Sequence, residues 1–464
     1  MPGLTETIAC FIAETGLHGV PANAIENSKR VLADTFAAIL AGAGSEVAEP
    51  LRTYIARAGG TGNSPILGTN LTASAEIAAL VNGTFGHSLD FDDVLTMMPG
   101  HPSAIILAAV LATSGARRIS GAELLEAHIV GIEVGAKIGL GITIGHYDRG
   151  FHGTGTLGIF SAIGALAKLH RLDVGTTRTA FGIASSMASG VRRNFGTMTK
   201  PLHTGWAARS ALTAIELARC GFTAAPDALE AKSGFFAAYG VDASDPEVAR
   251  ASLGRPWTIV DPGIGLKKWP CYNGSQRGMH GVLQLREKLG FGAQDLQRLE
   301  CRMPPGGMKV VIYPHPSTGL EGKFSLQYAM AAGVLDGKYS LWTFSDTAVR
   351  RPEIEALYPR IECREDPRCG ASDPKLATLA AGARGFVEIE VHLKDGRHDV
   401  MRIDAAPGHP KYPLSWSDLE QKFLDCAAHG GVEPSQTGHA FESLKELQDC
   451  ADLGEIIALL TVPA

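Results

Sequence analysis

Across the first 260 residues the apolar positions recur at the spacing of buried helix faces. In PANAIENSKRVLADTFAAILAGAGS, Pro21 suits a first helical turn, Ile25, Leu32, Phe36 and Ile39 follow helical spacing, and Gly42 and Gly44 suit a stop. The pattern returns in SAEIAALVNGTFGH, SAIILAAVLATSGAR, GAELLEAHIVGIEVGAKIG, GIFSAIGALAKLHRL and HTGWAARSALTAIELARCG. No strand-like alternation of useful length interrupts it, and no fixed period suggests a solenoid. Past about Trp269 the texture changes: RLECRMPP, VVIYP, PRIECRE and GFVEIEVHLKDGRHDVMRID read as strands, with a helix, KFSLQYAMAAGVLDG, among them. The last predicts a hairpin, because Val387, Ile389 and Val391 alternate with Glu388 and Glu390 ahead of the turn Lys394-Asp395-Gly396. From Ser415 helices return, in SWSDLEQKFLDCAAHG and a run ending in LGEIIALL.

The simplest assembly is mostly α with a smaller α+β domain. Residues 1–268 form the first part of a large all-α helical domain, 269–410 an inserted α+β lid domain, and 411–464 C-terminal helices that rejoin the helical domain. A cleft between two domains is where a ligand site is expected.

Composition narrows the partners. With 464 residues, 45% hydrophobic and 19% charged, the chain can bury a large core. A net charge of −6 without long Lys/Arg runs gives no footprint for nucleic acid or an anionic membrane. The N-terminus lacks the basic-then-apolar order of a signal peptide, and no run is apolar for long enough to span a bilayer. Eight scattered cysteines predict reduced thiols in a cytoplasmic protein. The 55 glycines exceed the usual share and, lying with Ala and Ser in helical segments, predict closely packed helices.

The densest chemistry lies in GHSLDFDDVLTMMPGHPS, residues 86–103. Asp90, Asp92 and Asp93 could hold Mg²⁺, since hard cations take carboxylate oxygens, but that reading needs a second motif on another helix and the chain offers none that convinces. Aspartates also cap helices, which suits some of the three. GTGTLG at 153–158 matches the dinucleotide fingerprint by letter only, because helix precedes it as well as follows it. Three apparent helix starts carry acid–base groups: His101 before Pro102, Lys200 before Pro201, and His152 ahead of Thr154 and Thr156. Free N–H groups and the positive dipole end at such starts favour carboxylates and keep a nearby imidazole neutral, so a convergence would make a polycarboxylate pocket. Lys267 and Lys268, in GIGLKKWPCYNGSQRGMH, could meet an anion or form a solvated pair. Cys271 has no histidine partner nearby in sequence and is not proposed as a nucleophile.

HSLDFDDV with GHPS, GFHGTGTLGIFSAIGALAKL, NFGTMTKPLHTGWAARSA, LKKWPCY and TGLEGKFSLQYAMA resemble, in order and over nearly the whole chain, the MmgE/PrpD family. That family includes 2-methylcitrate dehydratase, cis-aconitate decarboxylase and iminodisuccinate epimerase. The resemblance implies a helical domain with an α+β lid, a homodimer, a cleft site and no cofactor or metal. It places the active-site pattern on Asp90, His101, His152, Lys200 and Tyr313; Lys267 and Lys268, read from their own segment, and Val94 and Gln276, which depart from the pattern, are expected as substrate-binding positions. Val94 stands where decarboxylase-like members have threonine, and Gln276 where many members have histidine, with His280 close by. These departures favour a dehydratase-type lyase acting on a small di- or tricarboxylate, with an epimerase second and decarboxylation behind both. A non-catalytic helical binding protein is the alternative from another class. Asp90 or one of the histidines would be the base.

Overall fold

The computed structural model describes residues 2–58, 61–371 and 384–462. Its centre is the helix Pro102–Thr113, PSAIILAAVLAT, in which all twelve residues are buried. A helix apolar all round has no solvent face to offer. It is enclosed by the helices Ala22–Ala43, Ala75–Ser88, Gly121–Ile142, Gly158–Leu169 and Thr199–Arg219.

Glycine decides the tightest of these contacts. A Cβ on Gly83 would lie 2.7 Å from the Gly205 Cα, and one on Gly205 would lie 2.0 Å from the Leu80 carbonyl oxygen. Only hydrogen fits there, so the backbones of Ala75–Ser88 and Thr199–Arg219 touch. That approach brings the end of the first helix, at His87, to the start of the second, at Lys200.

The smaller portion is built on a four-stranded sheet ordered Ile361–Glu365, Leu296–Met303, Val387–Leu393, His398–Ile403, with the first pair parallel and the others antiparallel. The hairpin forms as its alternation predicts: Val387, Ile389, Val391 and Leu393 are buried, and Gly396 turns the chain at φ 91°. Their inner face packs with the helices Gln276–Leu289 and Leu326–Asp336 into one apolar cluster running from Trp269 to Leu393. VVIYP, expected as a strand, is irregular. Pro314 ends it and prolines at 304, 305 and 316 flank it; none of these can donate to a ladder, and its Tyr313 N–H bonds instead to the Phe324 carbonyl.

Leu419, Phe423 and Phe441, from the C-terminal helices Trp416–His429 and Pro434–Lys445, share the apolar cluster of the N-terminal helices. Among the described residues no single helix is long and apolar enough to cross a membrane.

Candidate active site

Between the helical and α+β portions lies a cavity of about 300 Å³. One wall is the loop after Ser88. Asp90 adopts a left-handed backbone, φ 52°, uncommon for a residue with a side chain. Val94 then pairs through both backbone hydrogen bonds with Gly265, and Leu95 with Gly100, so the stretch between Asp93 and His101 closes as a tight turn. His101 is the N-cap residue of the central helix, with Pro102 in its first position, as the sequence predicts. His152 likewise caps the short helix Gly153–Thr156. Lys200 differs: its helix starts at Thr199, so it lies inside the first turn.

The side chains form a connected set. The Lys200 ammonium donates to His87 Nε2 at 2.8 Å and Asp90 Oδ1 at 2.9 Å. Lys267 donates to the same Asp90 oxygen at 2.8 Å and to the Asp90 carbonyl at 2.7 Å. His87 accepts at Nε2, so its Nδ1–H points to Asp92, at 2.8 Å. The His101 Nδ1–H donates to the Asp93 carbonyl at 2.5 Å, leaving its Nε2 3.9 Å from Asp90. His152 and His203 face each other through their Nδ1 atoms at 2.9 Å. The Asp93 carboxylate accepts from the Ser103 hydroxyl at 2.6 Å and its N–H at 3.4 Å, which is the capping role expected for one of the three aspartates.

Burial and charge set the protonation. Burial alone would raise Asp90, but Lys200 and Lys267 hold it well below the usual carboxylate range. Burial raises Asp92, and raises Asp93 further with the Asp92 charge beside it. Burial pushes His87, His101 and His152 well below the ordinary histidine value, with Lys200 adding to the effect on His87 and His152. The same two causes push His203 down to about 4. Burial also lowers Lys200, against the pull of Asp90. Four neutral imidazoles thus surround an ammonium with weakened hold on its proton.

His87, Asp90, Asp92 and His101 each offer a ligand atom within 4.8 Å of the others. Two ammonium groups already balance the charge of that set, which makes a poor home for a further cation.

Of the residues singled out from sequence, Asp90, Val94, His101, His152 and Lys200 line the cavity, and Lys267 is buried against Asp90 behind it. Four others are placed elsewhere. Lys268 faces solvent, 3.5 Å from Asp418. Gln276 is buried outside the wall because its amide serves its own loop, donating to the carbonyls of Trp269 and Cys271. Tyr313 stands behind the wall, where its hydroxyl donates to the Phe195 carbonyl at 2.9 Å. His280 sits against Trp269 and Tyr412, also outside the wall. Sequence reasoning missed His87, His203, Thr96, Arg192, Tyr272, Lys309 and Arg384. Three of them had a local signal: His87 as the histidine just ahead of the aspartate loop, His203 in NFGTMTKPLHTGWAARSA and Tyr272 in LKKWPCY. Arg192, Lys309 and Arg384 add positive charge to a cavity that Phe195, Val310 and Phe324 keep apolar on one side.

A cavity that gathers buried, mutually bonded acid–base groups defines an enzyme more readily than a scaffold. Residues 6–247 match the MmgE/PrpD N-terminal domain and residues 269–447 the MmgE/PrpD C-terminal domain, so the chain belongs to the MmgE/PrpD family. It is 29% identical to the cis-aconitate decarboxylase of Mus musculus, over 98% of this chain and 94% of that protein. It is 28% identical to the Homo sapiens enzyme of that name, over 100% and 96%, and 26% identical to that of Aspergillus terreus, over 99% and 96%.

Proposed function

We propose that the protein is a cofactor-independent lyase that removes CO₂ from a small unsaturated tricarboxylate of the cis-aconitate kind. The observation that carries this is Lys200: a buried ammonium shared between Asp90 and His87, with lowered proton affinity, in the wall of a cavity rimmed by Arg192, Lys309 and Arg384. The sequence places dehydration first; whole-length similarity to three decarboxylases reverses that order.

When a β,γ-unsaturated carboxylate loses CO₂, the electron pair of the breaking C–C bond becomes a new double bond. The old double bond must then take up a proton at its far carbon. Lys200 is suited to deliver it, since burial lowers its pKa toward working pH. Two of its N–H groups are engaged by His87 and Asp90, which fixes its direction. Asp90 is a poor base, because two ammonium groups hold its charge; its part is to orient Lys200. His152, neutral and in the wall, can exchange the proton with His203. The cationic rim would hold the carboxylates that remain, and the apolar side would favour departure of neutral CO₂ over retention of its carboxylate.

Val94 supports a second reading, elimination of water, because it stands in the wall where decarboxylase-like members carry threonine. Thr96, two residues on, lines the same cavity and offers a hydroxyl.

The test is NMR in D₂O with cis-aconitate, citrate, 2-methylcitrate and iminodisuccinate. New vinyl signals with CO₂ release confirm decarboxylation. Vinyl signals without CO₂ indicate dehydration, and α-deuteration alone indicates epimerisation. Silence across the panel, identical in Lys200→Ala, overturns the carbon-acid reading. EDTA is expected to leave the rate unchanged; loss restored by Mg²⁺ would overturn the cofactor-independent part.

A further inference from the structure

Lys422 lies on the helix Trp416–His429, more than 150 residues beyond Lys267, and forms no part of the cavity wall. Its side chain is buried nonetheless, and three oxygens meet its ammonium. The Phe91 carbonyl accepts at 2.7 Å, the Lys267 carbonyl accepts at 2.9 Å, and Asp34 Oδ1, from the helix Ala22–Ala43, pairs with it at 2.6 Å. The Phe91 ring centroid lies 3.7 Å away. Two hydrogen bonds and one ion pair thus hold the ammonium from three sides.

The two carbonyls belong to the segments that make the acid–base set. Phe91 follows Asp90, and Lys267 reaches back to both the Asp90 carboxylate and its carbonyl. The strands of chain on either side of that contact are therefore tied twice, once by each lysine. Between the ties Asp90 keeps its left-handed backbone, which persists only where surrounding bonds hold it. An apolar side chain at 422 would leave two buried carbonyls without donors and Asp34 without its counter-charge.

We propose that Lys422, paired with Asp34, is a positioning residue that sets the Asp90–Lys267 contact and through it the proton affinity of Lys200. The inference rests on the proposed reading only in taking Lys200 as the reactive group. Lys200 faces Asp90, Asp92, Lys267 and the imidazoles of His87, His101, His152 and His203. If the Lys422 tie is cut and Lys267 drifts from Asp90, Lys200 loses its nearest like charge and holds its proton more tightly.

The experiment compares the full chain with Lys422→Met, Lys422→Arg and the double variant Asp34→Leu/Lys422→Met. The Lys200 titration is followed by ¹³Cε-lysine NMR, assigned through Lys200→Arg, and turnover by the D₂O assay. In Lys422→Met, Lys200 is expected to titrate at higher pH than in the wild type, and kcat to fall at least about tenfold with KM within about twofold. Lys422→Arg should recover much of both. The double variant, which leaves no buried charge unpaired, should regain part of the melting temperature lost in Lys422→Met yet keep the displaced titration. An unchanged Lys200 titration in folded Lys422→Met or in the double variant overturns the proposal whatever the substrate. A displaced titration in a protein whose wild type is inert to the whole panel upholds it and overturns the proposed function instead.

Discussion

The molecule holds two charge clusters of similar composition and opposite character. On the outer face of the sheet, Arg302 meets Glu300, Glu388 and Glu390, with Arg298 and Arg364 alongside. In the cavity, Asp90 meets Lys200 and Lys267. Each cluster has a minority partner shared by several opposite charges, and that partner is pinned in its charged form. Burial works against Arg302, but its glutamates hold it above its ordinary value, just as the lysines hold Asp90 below its own. The difference lies in the majority. Glu300 is buried, but Glu388 and Glu390 reach solvent in part, and burial does not cost Glu390 its charge, since Arg302 lowers it. In the cavity the majority member Lys200 is buried, and burial loosens its proton. Sharing plus burial makes a reactive group; sharing at a surface makes a brace.

The sharpest way to break that comparison is to delete one centre from each cluster. Lys200→Met is expected to cut kcat by about 10³-fold with little change in melting temperature. Arg302→Met should lower stability by about 1 kcal/mol, seen as a small drop in Tm, with kcat unchanged. A loss of activity in the second variant equal to that in the first would end the distinction. Next comes the helix contact beneath the site. Gly205→Ala puts a methyl on the Leu80 carbonyl and should part Lys200 from His87, lowering kcat by about 10²-fold while the fold survives by circular dichroism. Substrate anchoring should respond differently: Arg192→Gln is expected to raise KM about tenfold and leave kcat nearly intact.

The pH profile gives a smaller but signed effect. Activity that needs Lys200 protonated falls as pH rises through its pKa, which burial places below the ordinary 10.5. Asp90 raises that pKa, so Asp90→Asn should move the basic limb of the kcat profile to lower pH, whereas Glu390→Gln on the sheet should leave it in place. Smallest of all, Lys268→Ala should change kcat/KM by less than about twofold, because its ammonium faces solvent and pairs with the half-buried Asp418 away from the cavity.

What was legible in the sequence was what local spacing controls. The hairpin showed because Val387, Ile389 and Val391 keep a period of two, and the start at His101 showed because Pro102 fixes a first turn. VVIYP failed because β-branched residues signal burial as well as strand, and Val310 and Val311 are buried without a partner strand. Asp90, His101, His152 and Lys200 were found through neighbouring motifs and a family resemblance, and the cavity gathers them. Arg192 and Arg384 reach it from segments with no chemical signature of their own, so only tertiary structure identifies them, whereas Tyr272 closes the LKKWPCY motif and was passed over there. Gln276 misled for the opposite reason: its motif is near the site, but its side chain satisfies two carbonyls of its own turn.

The turn from Leu95 to Gly100 is fixed at both ends. Val94 is paired to Gly265 before it, and His101 caps the immovable central helix after it, while Leu95, Thr96 and Pro99 from within it roof the cavity. Its interior is anchored too, because Leu95 and Met98 are fully buried and the Met98 and Pro99 carbonyls lie where only a glycine, Gly153, fits beside His152. Thr96, which faces the cavity, is thus a place where the roof can change what it offers a ligand while the packing beneath His152 stays as it is.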